Sequence, residues 1–332
     1  MPGVTGPLRL VVMGTGPFAV PMFRVLLDTP HAIAALVTRP DHAPAGRRPP
    51  PNPMREAANA VGVPVLAPER VNDPDAVAAL AALTADLFVV CDYGQILSAP
   101  LLAVPRLGGI NLHGSLLPRH RGAAPIQWAI LEGDAVTGVS VIHMTPALDA
   151  GSVIAARPLP IGPHDTAADL EPRLAAIGAE AVVEAIDRLA AAVAAGTKPE
   201  EIGVPQDATR ATRAPRLAKQ DGVVDWSQPA ARIERQRRAL EPWPRAATFF
   251  TRGDGVRQRL VLEQVEVVPQ PAAVEPGVAP GTVLATTDER IVVACGAGTA
   301  LAVLRLVPEG RRSMSAAEFL RGSPLRAGVI LG

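Results

Sequence analysis

The stretch Leu8-Arg9-Leu10-Val11-Val12-Met13-Gly14-Thr15-Gly16-Pro17-Phe18-Ala19 passes from an apolar run into a glycine turn and on into a helical pattern. A strand that is apolar on both sides must be covered on both faces, and a strand turning straight into a helix begins a parallel β–α–β unit. Further apolar runs follow at Ile33–Val37 and Leu87–Cys91, with a weaker one at Gly109–His113. Helical patterns lie between them. Pro21–Asp28 is one. Pro53–Ala60 has Asn52 as N-cap and proline at its first position, and Asp75–Leu83 follows Asp73-Pro74. Later strands are expected at Val139–Met144 and Val153–Arg157, joined by the turn Pro146–Gly151. Thr166-x-x-Asp169 then makes a capping box before an alanine-rich helix running to about Ala195. The expectation is an α/β domain, a Rossmann-like open parallel sheet with helices on both faces.

Beyond Ala195 the pattern changes. Gly196 to Pro215 holds Gly, Pro, Thr and charges without an apolar period and reads as a linker. Pro229–Leu240 reads as a helix. Short β-like runs follow at Ala247–Thr251, Leu260–Val268, Thr282–Leu284, Ile291–Ala294 and Ala300–Leu306, separated by Gly- and Pro-bearing turns. That spacing belongs to a small barrel or sandwich. Ser315-x-x-Glu318 caps a last helix that stops at Gly322. The division expected is a catalytic domain over residues 1–195, a linker over 196–215 and a β domain over 216–332.

Composition narrows the class. The 332 residues are 48% hydrophobic and 19% charged, which excludes disorder as the main state. No run reaches the ~18 apolar residues of a membrane span, and Leu8–Met13, interrupted by Arg9, is too short for a secretory leader. Two cysteines, Cys91 and Cys295, make neither a disulfide framework nor a four-cysteine metal site. A cytoplasmic protein without a metal is expected. The net charge of zero hides −5 over residues 1–206 and +5 over residues 207–332. The basic half suits a polyanionic partner, with chance variation between two domains as the plain alternative.

Three motifs bear on chemistry. Gly14–Ala19 fits G-x-G-x-x-G/A, with Asp41 further on, so it is either a dinucleotide fingerprint or a turn that needs glycine for geometry. Asn111 and His113 lie two apart at a strand end, so their side chains share a face. There they form a pair able to polarise a carbonyl, or simply cap the strand. Asp149, on the turn Leu148-Asp149-Ala150-Gly151, would raise the His113 pKa and orient the ring if it reaches it; otherwise it stabilises its own turn. Cys91 sits within an apolar strand, where it packs rather than reacts.

Asn111-x-His113-Gly-Ser-Leu-Leu-Pro-x-x-Arg121-Gly, followed by Ala123-Ala-Pro-Ile-Gln127 and Leu148-Asp-x-Gly151, resembles the formyltransferases that use 10-formyltetrahydrofolate. The chain around it resembles the methionyl-tRNA formyltransferase family. Arg39-Pro-Asp41 through Pro44-Ala-Gly-Arg47 is similar to that family's loop toward the tRNA acceptor end. Asp225-Trp226-Ser227, Pro242-Trp243-Pro244 and Ser313-Met-Ser-Ala316 are similar to its C-terminal domain, an OB-like β-barrel. The resemblance implies catalytic roles for Asn111, His113 and Asp149. It implies folate contacts at Ser115, Leu116, Leu117 and Pro118, and a tRNA contact at Arg47. The chain departs from the family at three places. Gly-Thr-Gly16-Pro-Phe stands where Gly-Thr-Pro, an acidic residue and Phe are usual. Asp92 stands where a small residue is usual, and fewer lysines follow Arg47.

The chemistry fits these residues. Formyl transfer to an amine needs a donor for an oxygen gaining negative charge, which Asn111 supplies and a protonated His113 could share. It also needs a proton relay, which His113 poised by Asp149 supplies. For the tRNA side, Arg210, Arg213, Arg216 and Lys219 recur every three residues. Arg232, Arg235 and Arg238 do the same on the next helix beside Arg237, and Arg311-Arg312 precede the last helix. Such series follow a phosphate backbone or form a solvated face. Arg213, Arg216, Lys219, Arg235 and Arg311 are the expected contacts. The expected activity is formylation of initiator methionyl-tRNA by a monomer with 10-formyltetrahydrofolate as co-substrate. The rivals are a sugar-nucleotide formyltransferase, an NAD-dependent oxidoreductase using Gly14–Ala19, and a non-catalytic tRNA-binding protein.

Overall fold

The computed structural model describes residues 6–41, 50–253, 255–269, 274–275, 277–287, 289–323 and 325–332. Their contacts divide the chain into two units, one made of residues 1–125, 136–160 and 170–215, the other of 126–135, 161–169 and 216–332.

In chain order the elements up to residue 194 are β1 (Arg9–Met13), α1 (Val20–Leu27), β2 (Ala32–Val37), α2 (Pro53–Ala60), β3 (Val65–Leu66), α3 (Pro74–Ala82), β4 (Leu87–Val90), α4 (Ala99–Leu102), β5 (Gly109–His113), β6 (Arg121–Gly122), α5 (Pro125–Glu132), β7 (Val136–His143), β8 (Val153–Pro160) and α6 (Ala167–Ala194). The sheet order is β3-β2-β1-β4-β5-β7-β8, with helices on both faces. Leu10–Met13 of β1 and Leu87–Val90 of β4 are buried along their whole length, as the continuous apolar runs require. β3 to β5 are parallel, whereas β7 runs antiparallel to both β5 and β8. The sheet is therefore mixed at one edge rather than wholly parallel, because β7 and β8 are joined by the short 144–152 turn, which permits only an antiparallel pair. Asn52 caps α2 as expected, its side-chain oxygen accepting from the Arg55 amide at 3.1 Å. Thr166 and Asp169 exchange the two bonds of a capping box.

The segment expected as a linker is not a free tether. Val204 and Val153 exchange both backbone bonds, at 2.8 and 2.9 Å, and Arg213–Ala214 (β9) pairs in parallel with β6. The second unit holds α7 (Ala230–Ala239), β10 (Ala247–Thr251), β11 (Arg257–Val267), β12 (Val283–Thr286), β13 (Ile291–Ala294), β14 (Ala300–Pro308), β15 (Met314–Ser315) and α8 (Ala316–Gly322). Its antiparallel sheet is ordered β10-β11-β14-β13-β12, with β15 on β14. Between the two outer strands runs segment 328–332. The Val283 amide donates to Val329, and the Gly332 amide donates to Phe249 of β10. The segment thus bonds to both outer strands of a curled, half-barrel sheet, in keeping with the expected barrel-like domain. The core gathers Trp226, Ile233, Leu262, Val293, Leu301 and Phe319. The buried Trp226 indole is satisfied by Thr248 Oγ1 at 2.9 Å.

Candidate active site

β5 pairs with β7 so that Asn111 faces Ile142 and His113 faces Ser140. Alternation along the strand turns Asn111 and His113 to one face and Leu112 to the other. Asn111 is half-buried, and among the described residues its side-chain amide makes no hydrogen bond with the protein. His113 is 5% exposed. Its Nε2 lies 2.9 Å from the His120 carbonyl. A carbonyl only accepts, so Nε2 carries the proton and Nδ1 keeps its lone pair in the neutral ring. Nδ1 is 3.7 Å from Asp149 Oδ2.

Burial holds the His113 pKa below its ordinary value, although the Asp149 charge and the His120 carbonyl both pull it upward. Asp149 thus reaches the ring and pulls its pKa up as expected, but burial, which the sequence did not show, prevails. In a site this dry, loss of hydration outweighs one carboxylate at 3.7 Å. The ring is neutral at neutral pH. It is ready to take a proton, and the oxyanion donor on this face is Asn111.

Asp149 sits in the left-handed region at φ 49°, and its Oδ2 accepts from the Gly122 amide at 2.8 Å. A cavity of about 170 Å³ opens beside it, with Asn111 and Asp149 in its wall and Tyr93, Ile96, Leu97, Met144 and Leu148 among its lining. Ser115–Pro118, expected as folate contacts, do not line this cavity. Ser115 is fully buried, and its Oγ donates to the Arg119 carbonyl at 2.7 Å. Ser140 Oγ donates to the Ser115 carbonyl and accepts from the Leu117 amide. A Cβ at Gly138 would lie 2.7 Å from Leu116 Cδ2. In the structure, then, Ser115 to Leu117 tie the loop after β5 to β7.

Two of the departures prove to be one feature. A Cβ on Gly16 would fall 1.8 Å from Asp92 Oδ2, so the Asp92 side chain occupies the space that only a glycine at 16 leaves. The same carboxylate lies where a dinucleotide pyrophosphate would have to approach. Asp41 is engaged by Arg55 at 3.1 Å instead of awaiting a ribose. The oxidoreductase reading loses both its supports. Cys91 is buried, and burial followed by the Asp92 charge pushes its thiol pKa up, which leaves it unreactive.

The basic series divide. Arg210, Arg213, Arg216, Lys219 and Arg311 are exposed. On α7, Arg235 Nε donates to the Leu131 carbonyl at 3.2 Å and Arg232 shares that acceptor. Arg237 Nε donates to the Glu263 carbonyl. Arg238 is buried against Glu234 at 2.6 Å and donates to the Asp165 carbonyl at 2.9 Å. Arg235, expected to meet tRNA, is thus half-buried and already engaged. Arg47 lies outside the described residues. Among the described residues no group of three or more His, Cys, Asp or Glu side chains is disposed to hold a metal ion. Nor is any helix there long and apolar enough to cross a membrane.

Sequence reasoning missed Gln206, which donates to the carbonyls of Asp149 and Gly151. No local pattern marks it, because its partners lie 55 and 57 residues away. It also missed the 93–97 wall of the cavity, which follows the expected strand Leu87–Cys91 without a pattern of its own.

The family model described as formyl transferase matches residues 8–186, and that of the formyl transferase C-terminal domain matches residues 216–324. A methionyl-tRNA formyltransferase of Rhodopirellula baltica is 44% identical over 97% of this chain and 96% of its own length. Two solved structures share the fold. One is WlaRD, a sugar 3N-formyl transferase, with a TM-score of 0.61 at 13% identity over 92% of this chain and 99% of that one. The other is HypX from Aquifex aeolicus in complex with tetrahydrofolic acid, with a TM-score of 0.58 at 17% identity over 99% of this chain and 51% of that one. With both halves of the chain matched and a relative at this identity along nearly its full length, the chain belongs to the formyl transferase family, among the methionyl-tRNA formyltransferases.

Proposed function

We propose that this chain transfers the formyl group of 10-formyltetrahydrofolate to the free amino group of initiator methionyl-tRNA. The observation that carries the reading is the Asn111 amide, without a partner among the described residues, on the wall of the same cavity as Asp149 and two residues from a neutral, buried His113. The names of the relatives supply the acceptor, and the tetrahydrofolic acid in the HypX complex supplies the co-substrate class. The cavity suits such a substrate, since its lining combines apolar residues such as Ile96, Leu97, Met144 and Leu148 with the polar side chains of Asn111 and Asp149.

The amine nitrogen attacks the formyl carbon, and Asn111 donates to the formyl oxygen as it gains negative charge. The amine loses a proton to His113 Nδ1. The imidazolium so formed is stabilised by Asp149 at 3.7 Å and by the bond from Nε2–H to the His120 carbonyl. As the carbon–nitrogen bond to the folate breaks, that proton passes to the departing nitrogen and the ring returns to neutral. Arg210, Arg213, Arg216, Lys219 and Arg311, all exposed, together with Arg47, are proposed to meet tRNA phosphates. The test is incubation of the protein with 10-formyltetrahydrofolate and charged initiator tRNA, followed by release and analysis of the amino acid. Formyl-methionine is expected. Its absence, with formylation of an amino-sugar nucleotide under the same conditions, overturns the reading.

A further inference from the structure

The Asp149 carboxylate is only as useful as the turn that aims it, and that turn holds Asp149 in the left-handed region, which aspartate tolerates but few other residues do. The surroundings of the turn form a closed ring. The Gly122 amide donates to Asp149 Oδ2 at 2.8 Å. Arg121, its neighbour, sends Nη2 and Nε to Gln206 Oε1 at 2.6 and 3.1 Å. Gln206 Nε2 then donates to the Asp149 and Gly151 carbonyls, each at 2.8 Å. Two donors on Oε1 fix which end of the amide faces the turn, and both Nε2 hydrogens are used. The segment carrying Gln206 is anchored before it by the Val204–Val153 pair and after it by β9 on β6.

We infer that Gln206, oriented by Arg121, is a positioning residue that clamps the Asp149 turn so that the carboxylate stays beside His113 Nδ1. The inference rests on the proposed role of Asp149 toward His113. It assigns a catalytic consequence to a segment outside the strand-end motif. No other side chain of this size does the same: glutamate keeps the Arg121 contact but loses both donors, and methionine keeps the volume but loses both ends.

The test uses Gln206→Met and Gln206→Glu in the full chain, with turnover measured per folded molecule and the His113 ring titrated by NMR. Both variants are expected to lower kcat by about 10- to 100-fold, the size of a misplaced acid–base group, while KM for either substrate moves less than about threefold. In Gln206→Met the His113 pKa should fall toward its value in Asp149→Asn, because the carboxylate that lifts it is no longer held in place. In the Asp149→Asn background Gln206→Glu should cost almost nothing more. A merely structural residue would lower thermal stability and leave kcat per folded molecule and the His113 titration unchanged, and that result overturns the clamp. If Gln206→Met does not fold, Gln206→Glu keeps the Arg121 contact, and the double-mutant comparison decides. Should Asp149→Asn itself leave turnover and the His113 pKa unchanged, the reading of Asp149 falls and takes the clamp with it. A damaging Asp149→Asn beside harmless Gln206 variants sinks the clamp alone.

Discussion

The strand end of β5 and the helix α7 each carry polar side chains at a regular spacing, yet the structure treats them in opposite ways. On β5 the spacing is two, and among the described residues Asn111 keeps an amide with no protein partner, facing a cavity. On α7 the spacing is three, and Arg232, Arg235 and Arg238 are engaged by the carbonyls of Leu131 and Asp165 and the carboxylates of Glu132 and Glu234. A guanidinium has five donors and seeks acceptors wherever a helix face packs. A half-buried amide that opens onto a cavity holds no packing together and is placed to meet a ligand. The difference teaches that spacing puts side chains on one face, and that satisfaction of their hydrogen bonds separates structural from chemical use.

The largest effect should come at the strand end of β5. Asn111→Ala and His113→Ala should each lower turnover per folded molecule by about 100-fold or more, the size of a lost oxyanion donor or proton acceptor. Asn111→Ala should do so with little loss of thermal stability, whereas His113→Ala also leaves the His120 carbonyl unmet. Folded variants that turn over normally would erase the contrast. The satisfied face should respond the other way. Arg238→Ala should cost about 2–3 kcal/mol in denaturant unfolding, because it leaves Glu234 without its partner in a mostly buried place, while turnover per folded molecule stays the same. A smaller effect is expected in the exposed series. Arg213→Ala should weaken tRNA binding a few-fold and lower the log–log salt slope by about one unit. The same measurement on Arg235→Ala should leave that slope unchanged, and an equal loss for both would show that the helix series also meets RNA.

The smallest effect concerns pH. The neutral ring is the working form of His113, and its pKa lies below the ordinary value. Turnover at saturating substrate should therefore rise with pH through an acidic midpoint and be flat near neutrality. In Asp149→Asn the anion that lifts the pKa is gone, so the midpoint should move to still lower pH. A midpoint above the ordinary histidine value would return His113 to the role of acid and donor.

Much of this was legible from local rules. Asn52, Thr166 with Asp169, and Ser315 with Glu318 cap their helices as their spacing predicts, since a cap involves residues only a few positions apart. The continuous apolar runs at β1 and β4 are buried strands for the same reason. The antiparallel edge at β7 was not legible, because apolar patterning carries no strand direction. Nor was the use of residues 204–214, whose backbone bonds reach Val153 and Arg121 across tens of residues.

By itself, then, the sequence determined the two-part order of elements, the helix ends, and the shared face of Asn111 and His113, because each follows from periodicity or neighbours along the chain. Tertiary structure alone decided the state of the His113 ring, since burial and a carboxylate 36 residues away oppose each other and only the packed geometry sets which prevails. It also decided that the α7 arginines are engaged by nearby carbonyls and carboxylates and that Gln206 reaches Asp149, because a side chain's partners depend on what the fold brings within hydrogen-bond distance.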